Sequence, residues 1–402
     1  MVEKFKQLSF SVLSKFITFS SIYFYAKILK KEFVAEIALI QAYVVMLVVI
    51  LSLQMPAAIF RLSIIKKYKN LSIWILEKSN ILIFISLPIY FLNIFKSNFI
   101  LIIIFLSLVQ ISAMNRLEFI RSNSNQISYF KLIFLQALLS FTFIVIFFLY
   151  FKNIFSPITI FITFEYISWM LIFFFSVIKI KKIKKFLNLK SKFNKKDLIY
   201  ILKYGFYLIP TTLAWSGLLY GPIILINHYF DNTLVANFAI SNRIALIIFI
   251  SGTLILSIIG KDLILSYQKN KNLYFKSFFK KFFFWFLCTL FFGIILYYIN
   301  LIFLIFYFSE YKLNNNIILL QFINTILLSN FSFLGFFYQT TIRMKPNAIT
   351  ALLTFLSCLL FSTYFIKNDF GVIGLMSGMV IGMIIGIILR IINIKKIIIS
   401  DT

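Results

Sequence analysis

Cysteine, histidine and acidic residues are scarce in this 402-residue chain, with two cysteines, one histidine and 12 Asp+Glu. Cys288 and Cys358 lie in separate apolar stretches, which excludes a disulfide framework and leaves no metal-like spacing; they read as packing residues. His228 has no Cys or second His beside it, and no glycine-rich phosphate loop follows a strand pattern, so neither a metal site, a resident cofactor nor a nucleophile–base pair is legible. Eleven of the acids fall in loops or near the ends of apolar stretches, and only Glu165 sits well inside one. Glycine is missing from the first 200 residues, all 12 coming later, which places backbone freedom in the second half. Long polar loops are lacking too. On the side away from the lysine-rich loops the longest connection, 307–316, has about ten residues, which leaves no room for an extramembrane catalytic domain.

What is abundant is apolar surface: 61% of residues are hydrophobic, Phe alone fills 53 positions, and the mean hydropathy is +0.98. A soluble fold cannot hide that much from water. The pattern predicts an all-α polytopic membrane protein with about 12 transmembrane helices, at 8–28, 35–60, 73–95, 99–115, 130–151, 157–178, 199–228, 233–259, 282–306, 317–340, 347–366 and 371–393. The first is too long for the apolar core of a signal peptide and no small-residue cleavage site follows, so it is expected to remain. The formal net charge of +28 raises a nucleic-acid role, but the placement of the charge opposes it. With a cytoplasmic N-terminus, 31 of the 40 Lys+Arg fall on cytoplasmic loops, seven on the other side, and two, Lys15 and Arg243, within spans. That is the positive-inside distribution, and it puts both termini in the cytoplasm. The basic loops are topology signals first and contacts for anionic membrane lipids second.

Halving the chain exposes a repeat. At an offset of 201 residues, 33–39 (FVAEIAL) aligns with 234–240 (LVANFAI), and Lys27 aligns with His228. A second match, 151–156 (FKNIFS) against 366–371 (IKNDFG), occupies the loop before the last span of each half. Two six-helix lobes, 1–178 and 199–402, are therefore expected as a parallel repeat with a cavity between them, joined by a basic cytoplasmic linker at 179–198. That linker carries nine lysines between Lys179 and Lys196, and is either an amphipathic helix on the leaflet or a solvated strand of charge. In the last span Gly374, Gly378, Gly382 and Gly386 recur every four residues on one face, spacing suited to close helix packing, with a groove for a lipid tail or a dimer seam as alternatives.

The stretch 204–228 is long enough to cross a bilayer, yet Gly205, Pro210, Gly217, Gly221 and Pro222 interrupt it, so a bend beside a cavity is expected, with Gly205 and Pro210 as the hinge. Arg243, ten residues into the next span and roughly 15 Å along it, lies near mid-bilayer and must face something polar. It reads either as a cavity cation for an anionic substrate or as a structural pair with Glu165 or backbone carbonyls. Lys15 is a second candidate cation, or a side chain that snorkels to the interface. Lys27 and His228, at matching span ends, read as lining an outer vestibule or as interface anchors. Glu165 has the pattern of a proton-coupling carboxylate, or of a partner for a cation. Intramembrane amides, among them Gln136, Asn242, Gln321, Asn324 and Asn330, either hold helices together or bind sugar hydroxyls.

The segment Tyr204 to Pro210 (YGFYLIP), followed by 227–231 and by Val235 to Arg243 (VANFAISNR), resembles the opening of the second lobe in polysaccharide-unit flippases of the multidrug/oligosaccharidyl-lipid/polysaccharide exporter superfamily. Ala26 to Leu29 with Glu32-Phe33 is similar to the matching place in the first lobe, though Lys27 replaces the arginine common there and the usual glycine is missing, which weakens an outer-cavity role for Lys27. Gly371 to Gly374 (GVIG) resembles the family's start of span twelve. The resemblance implies a bacterial inner-membrane protein that moves an undecaprenyl-pyrophosphate-linked oligosaccharide, an O-antigen or capsule repeat, between leaflets, alongside a polymerase of the same pathway. A diphosphate needs fixed cations, which Arg243, Lys15 and Lys27 supply; the sugars need amides and aromatics. The alternatives are a cation-coupled multidrug exporter of the same fold, disfavoured by the shortage of intramembrane acid, and a membrane polymerase or ligase, disfavoured by the short outer loops.

Overall fold

The computed structural model describes residues 2–64, 69–96, 98–123, 126–151, 156–189, 191, 194–311 and 313–401, and among these it is helical with no strand. The first helices are α1 (Val2–Ile28), α2 (Lys31–Leu51), α3 (Met55–Ser63), α4 (Lys69–Lys78), α5 (Ile81–Lys96), α6 (Phe99–Asn123), α7 (Gln126–Phe151) and α8 (Pro157–Phe186). Then come α9 (Lys195–Tyr229), α10 (Asn232–Lys269), α11 (Lys271–Tyr307), α12 (Asn315–Thr341), α13 (Met344–Lys367) and α14 (Gly371–Asp401). Among the described residues, eleven stretches are long and apolar enough to cross a membrane, α4 and α5 together supplying one of them. Large apolar side chains stay exposed along them, as on α11 with Phe283, Phe284, Leu287, Phe291, Tyr298 and Phe306, which is the surface that lipid tails cover. This is a multi-pass membrane protein.

The chain forms two compact units, Met1–Ile209 and Pro210–Thr402. In the first, α6 is the hub, packed against α2, α3, α5, α7 and α8; in the second, α12 is the hub, packed against α10, α11, α13 and α14. Each hub is thus the fourth span of its half. The helix ends repeat as well: α1 stops at Ile28 and α9 at Tyr229, α2 starts at Lys31 and α10 at Asn232, both 201 residues on. Burial explains the hubs. Phe105, Val109, Ala113, Phe119 and Ile120 fill α6 on several faces, and Phe331, Leu334, Phe337 and Tyr338 do so in α12.

Several expected spans differ in detail. The stretch 35–60 is not one helix. It breaks after Leu51, where Leu53 and Gln54 take left-handed φ of 46° and 53° and the Ser52 hydroxyl accepts from the Gln54 N–H at 3.2 Å; Pro56, which has no N–H to satisfy, then opens α3. Hydropathy averaged along the stretch does not register this turn, because Leu51, Leu53 and Met55 keep it apolar around Ser52 and Gln54. The stretch 73–95 is likewise broken, at Ser79-Asn80 between α4 and α5. The span expected at 99–115 runs on to Asn123, which carries Arg116 and Arg121 inside α6.

The basic run begins as the tail of α8, which ends in a paired-hydrogen-bond cap: Leu189 N–H donates to Lys184 C=O at 3.0 Å and Asn188 N–H to Lys185 C=O at 3.3 Å, with Asn188 at a left-handed φ of 47°. The stretch 204–228 is not interrupted. It is the middle of one helix, α9, which continues through both Pro210 and Pro222, and the division between the units falls within it, at Pro210.

Candidate functional site

The second unit builds its polar interior from α10 outward. Asp231 caps α10: its carboxylate accepts from the Leu234 N–H and from the Thr233 hydroxyl, each at 2.7 Å. These bonds hold its ionised form, and the Leu234 N–H with the Thr233 hydroxyl draws its pKa below the ordinary aspartate range. Eleven residues on from Asn232, about 16 Å along the axis, comes Arg243, half-buried and within electrostatic reach of Tyr220 on α9. The turn before it is fixed by amides. Asn300 Nδ2 donates to Ser241 C=O at 3.0 Å, Ser241 Oγ donates to Gln321 Oε1 at 3.0 Å, and Gln321 Nε2 reaches Phe238 C=O at 3.4 Å. Three helices thereby set the height and rotation of the segment that carries Arg243.

At the same level α9, α10, α12 and α14 enclose a partly open recess of about 10 Å³, room for one water, lined by Leu218, Pro222, Asn242, Asn324, Thr325 and Met376 among others. Asn324 is 6% exposed, and its Oδ1 has no hydrogen-bond partner among the described residues.

In the first unit, Glu165 on α8 accepts from Ser140 Oγ at 2.6 Å, Trp169 Nε1 at 2.9 Å and, at 3.5 Å, Gln136 Nε2. All three partners are neutral.

The other expected residues are dispersed. The side chain of Lys15 lies outside the described residues. Lys27, in the last turn of α1, and His228, in the last turn of α9, are both exposed, and the His228 ring meets Tyr229 edge-on at 4.8 Å. Gly205 serves a close approach inside a continuous helix: a Cβ there would stand 2.5 Å from the Leu53 carbonyl oxygen, so α9 lies against the turn that ends α2. The four-residue glycine ladder of α14 meets α13, with Gly374 against Phe365, Gly378 against Phe361 and Ser362, Gly382 against Cys358 and Gly386 against Thr354.

Buried arginines are what hydropathy and topology did not reveal. Arg116, 2% exposed, donates to Ser112 C=O at 2.6 Å, Leu76 C=O at 2.9 Å, Ser79 Oγ at 3.2 Å and the Asn80 amide oxygen, closing the break between α4 and α5. Arg390, 1% exposed, donates to Asn347 Oδ1 at 2.7 Å, to Thr350 Oγ1 at 3.4 Å and to Phe331 C=O, with its guanidinium 3.5 Å from the Phe331 ring centroid. Arg121 pairs with Glu118 at 3.0 Å over Phe60. A signal did exist: the chain has only six arginines among its 40 cations, all six are buried or half-buried, and no described lysine side chain is buried. A weakly hydrated planar fork can be satisfied inside a fold at lower cost than an ammonium.

No protein-family model matches the sequence, and no curated protein matches it significantly. Solved structures do. An outward-facing multidrug resistance MATE family transporter of the MOP superfamily superposes with a TM-score of 0.68 at 12% identity, over 99% of this chain and 96% of that one. The lipid II flippase MurJ in an inward closed conformation gives 0.63 at 18%, over 96% of this chain and 87% of that one. The chain has the fold of these transporters. A MOP superfamily transporter from Pyrococcus furiosus, described by the reversed polarity of its binding pocket, gives 0.67 at 12% identity, over 99% of this chain and 96% of that one. Likeness at these identities shows the fold alone.

Proposed function

We propose that this protein is a flippase for an undecaprenyl-pyrophosphate-linked oligosaccharide, an O-antigen or capsule repeat unit, in the bacterial inner membrane. The observation that carries the reading is Arg243: a guanidinium about 16 Å into α10, half-buried, held at its level by the Ser241, Asn300 and Gln321 amide network. A cation kept at that depth costs a few kcal/mol on insertion scales, which an anionic diphosphate offsets. Lys15 and Lys27 are the further cations of this proposal, His228 lies toward the outer vestibule, and Gly205 with Pro210, at the junction of the units, is the flexible point for alternating access. The prenyl tail stays in lipid, and a polymerase takes the delivered unit.

One observation favours a second reading. Among the described residues the donors to Glu165 are all neutral, and a cation-coupled drug exporter needs an intramembrane carboxylate. The test deletes the gene in its own host and follows lipid-linked sugars in each leaflet together with surface polysaccharide. Units trapped on the cytoplasmic face, released by the wild-type gene and not by Arg243→Ala, establish the flippase; unchanged pools refute it and leave the exporter. Units that reach the periplasm unpolymerised point to a polymerase or ligase instead.

A further inference from the structure

The intramembrane amides divide once their partners are known. Asn330 donates to Thr289 and to Ile326 C=O, Asn300 to Ser241 C=O, Gln321 joins Ser241 and Phe238, and Gln136 reaches Glu165. These hold helices together. The Oδ1 atoms of Asn300 and Asn330 also lack partners among the described residues, but each of these side chains is anchored through its Nδ2; Asn242 and Asn324 line the recess of the second unit, where Asn324 Oδ1, 6% exposed, has no partner among the described residues. Pro222 also lines it, and having no N–H it cannot serve the carbonyl of Leu218, four residues back on the same wall. Thr325 gives its hydroxyl proton to Gln321 C=O at 2.7 Å, so toward the recess its oxygen can only accept. The polar side chains that line it, two amides and one hydroxyl oxygen, offer both donors and acceptors and carry no charge, with room for one water-sized group. Counted from their helix ends, Asn242, Asn324 and Arg243 lie about 15, 13 and 16 Å in, the same level of the bundle.

We propose that this recess is a subsite for one hydroxyl of the cargo's first sugar, read by Asn324 and Asn242 beside the diphosphate held at Arg243. The inference rests on the flippase reading and names the part of the cargo that the second unit recognises. A bare ion of either sign fails here because the lining holds neither a cation nor a carboxylate to offset its desolvation. A hydroxyl both donates and accepts, which matches an amide turned either way, and it fits a water-sized space. An apolar group of the same size would leave Asn324 Oδ1 buried and unpaired, so the recess selects against deoxy positions.

The experiment titrates the full chain in lipid nanodiscs with two probes, undecaprenyl pyrophosphate and undecaprenyl-pyrophosphoryl N-acetylglucosamine, with binding read by native mass spectrometry. Wild type should prefer the sugar-bearing probe about tenfold. Asn324→Leu, close in volume and apolar, should abolish that preference while leaving the affinity for the sugarless probe within about twofold, and Asn242→Leu should act in the same direction if the first variant does not fold. Arg243→Ala should weaken both probes together. Equal wild-type affinity for the two probes, or an Asn324→Leu protein that keeps the preference, overturns the subsite and leaves a resident water as the occupant, with the flippase reading intact. A wild-type protein that binds neither probe refutes the flippase reading and the subsite with it.

Discussion

Replacing Gly378 by alanine puts the seam between α13 and α14 under the most direct strain. The new Cβ would stand 2.5 Å from the carbonyl carbon of Phe361 and 2.5 Å from Ser362 Cα, where carbon centres at rest keep about 3.5 Å or more. These are backbone atoms inside a helix and cannot rotate away, so the two helices must part by about 1 Å at the crossing. Separation also stretches the cross-helix bonds from Ser362 Oγ to Leu375 C=O at 2.8 Å and from Cys358 Sγ to Met379 C=O at 3.4 Å. Overpacking of this kind costs about 1–3 kcal/mol, and the better helix propensity of alanine returns about 1 kcal/mol, for a net loss of about 1–2 kcal/mol. Gly221 supplies the control, since nothing lies within 4 Å of its Cβ position and alanine there should only gain. Thermal unfolding in detergent, followed by fluorescence-detected size exclusion, should rank Gly221→Ala above wild type and Gly378→Ala below it, the extremes differing by about 5 °C or more. Gly386→Ala should also be destabilised, but by the Thr354 side chain, whose Cβ would stand 2.8 Å from the new one, so adding Thr354→Gly should relieve the clash while no change of side chain at Ser362 rescues Gly378→Ala. Equal melting of Gly378→Ala and Gly221→Ala would refute the close packing of this seam.

Arg390→Met should lower stability by about 1–3 kcal/mol, because Asn347 Oδ1 and the Phe331 carbonyl lose their donor; in a double-mutant cycle with Asn347→Leu the combined loss should be smaller than the sum, and strict additivity would count against the bond. Asp231→Ala should cost about 1 kcal/mol as a lost helix cap. Since the folded pKa of Asp231 is lowered by the Leu234 N–H and the Thr233 hydroxyl, its contribution is present above the ordinary aspartate range and is lost as pH falls through the folded value. The gap between wild type and Asp231→Ala should therefore close on acidification from pH 7 towards about 3, and a gap that widens would contradict the assignment. Glu165→Gln keeps the shape of the Ser140 and Trp169 pocket and removes the titrating group, so it should flatten the pH dependence of transport in proteoliposomes; an unaltered profile would make Glu165 structural.

The alternation of apolar stretches and the 201-residue offset were legible because both rest on quantities a sequence carries directly, hydropathy and spacing, although eleven and not twelve stretches among the described residues are long and apolar enough to span. The start of α10 belongs to the same class, since the apolar stretch expected from 233 begins within one residue of Asn232. What stayed hidden depends on partners distant in sequence. The turn at Ser52 to Gln54 is invisible to hydropathy, and its left-handed residues are tolerated where α9 lies so close that only Gly205 fits. The prolines of α9 read as breaks because propensity counts the lost hydrogen bonds and not the packing around the helix, which keeps it continuous. Arg116 and Arg390 were hidden for a related reason. A cation near a cytoplasmic span end is already accounted for by topology, and only the six-to-34 preference for lysine over arginine marks the exceptions.

That preference separates cations used by the fold from those available for chemistry. Arg116 and Arg390 meet the cost of leaving water by donating to carbonyls, amides and hydroxyls around the guanidinium, with Phe173 and Phe331 against its faces. With those donors committed and at most 2% exposure, neither can turn to a passing diphosphate without breaking a helix junction. In the turn of α10 before Arg243, Ser241 carries the bonds to Asn300 and Gln321 that fix the helix. Arg243 itself is half-buried, within one turn of that network with Asn300 and Gln321. Loss of transport with retained stability in Arg243→Ala is the signature that separates a substrate contact from a structural one. The same substitution at Arg390 should remove both together.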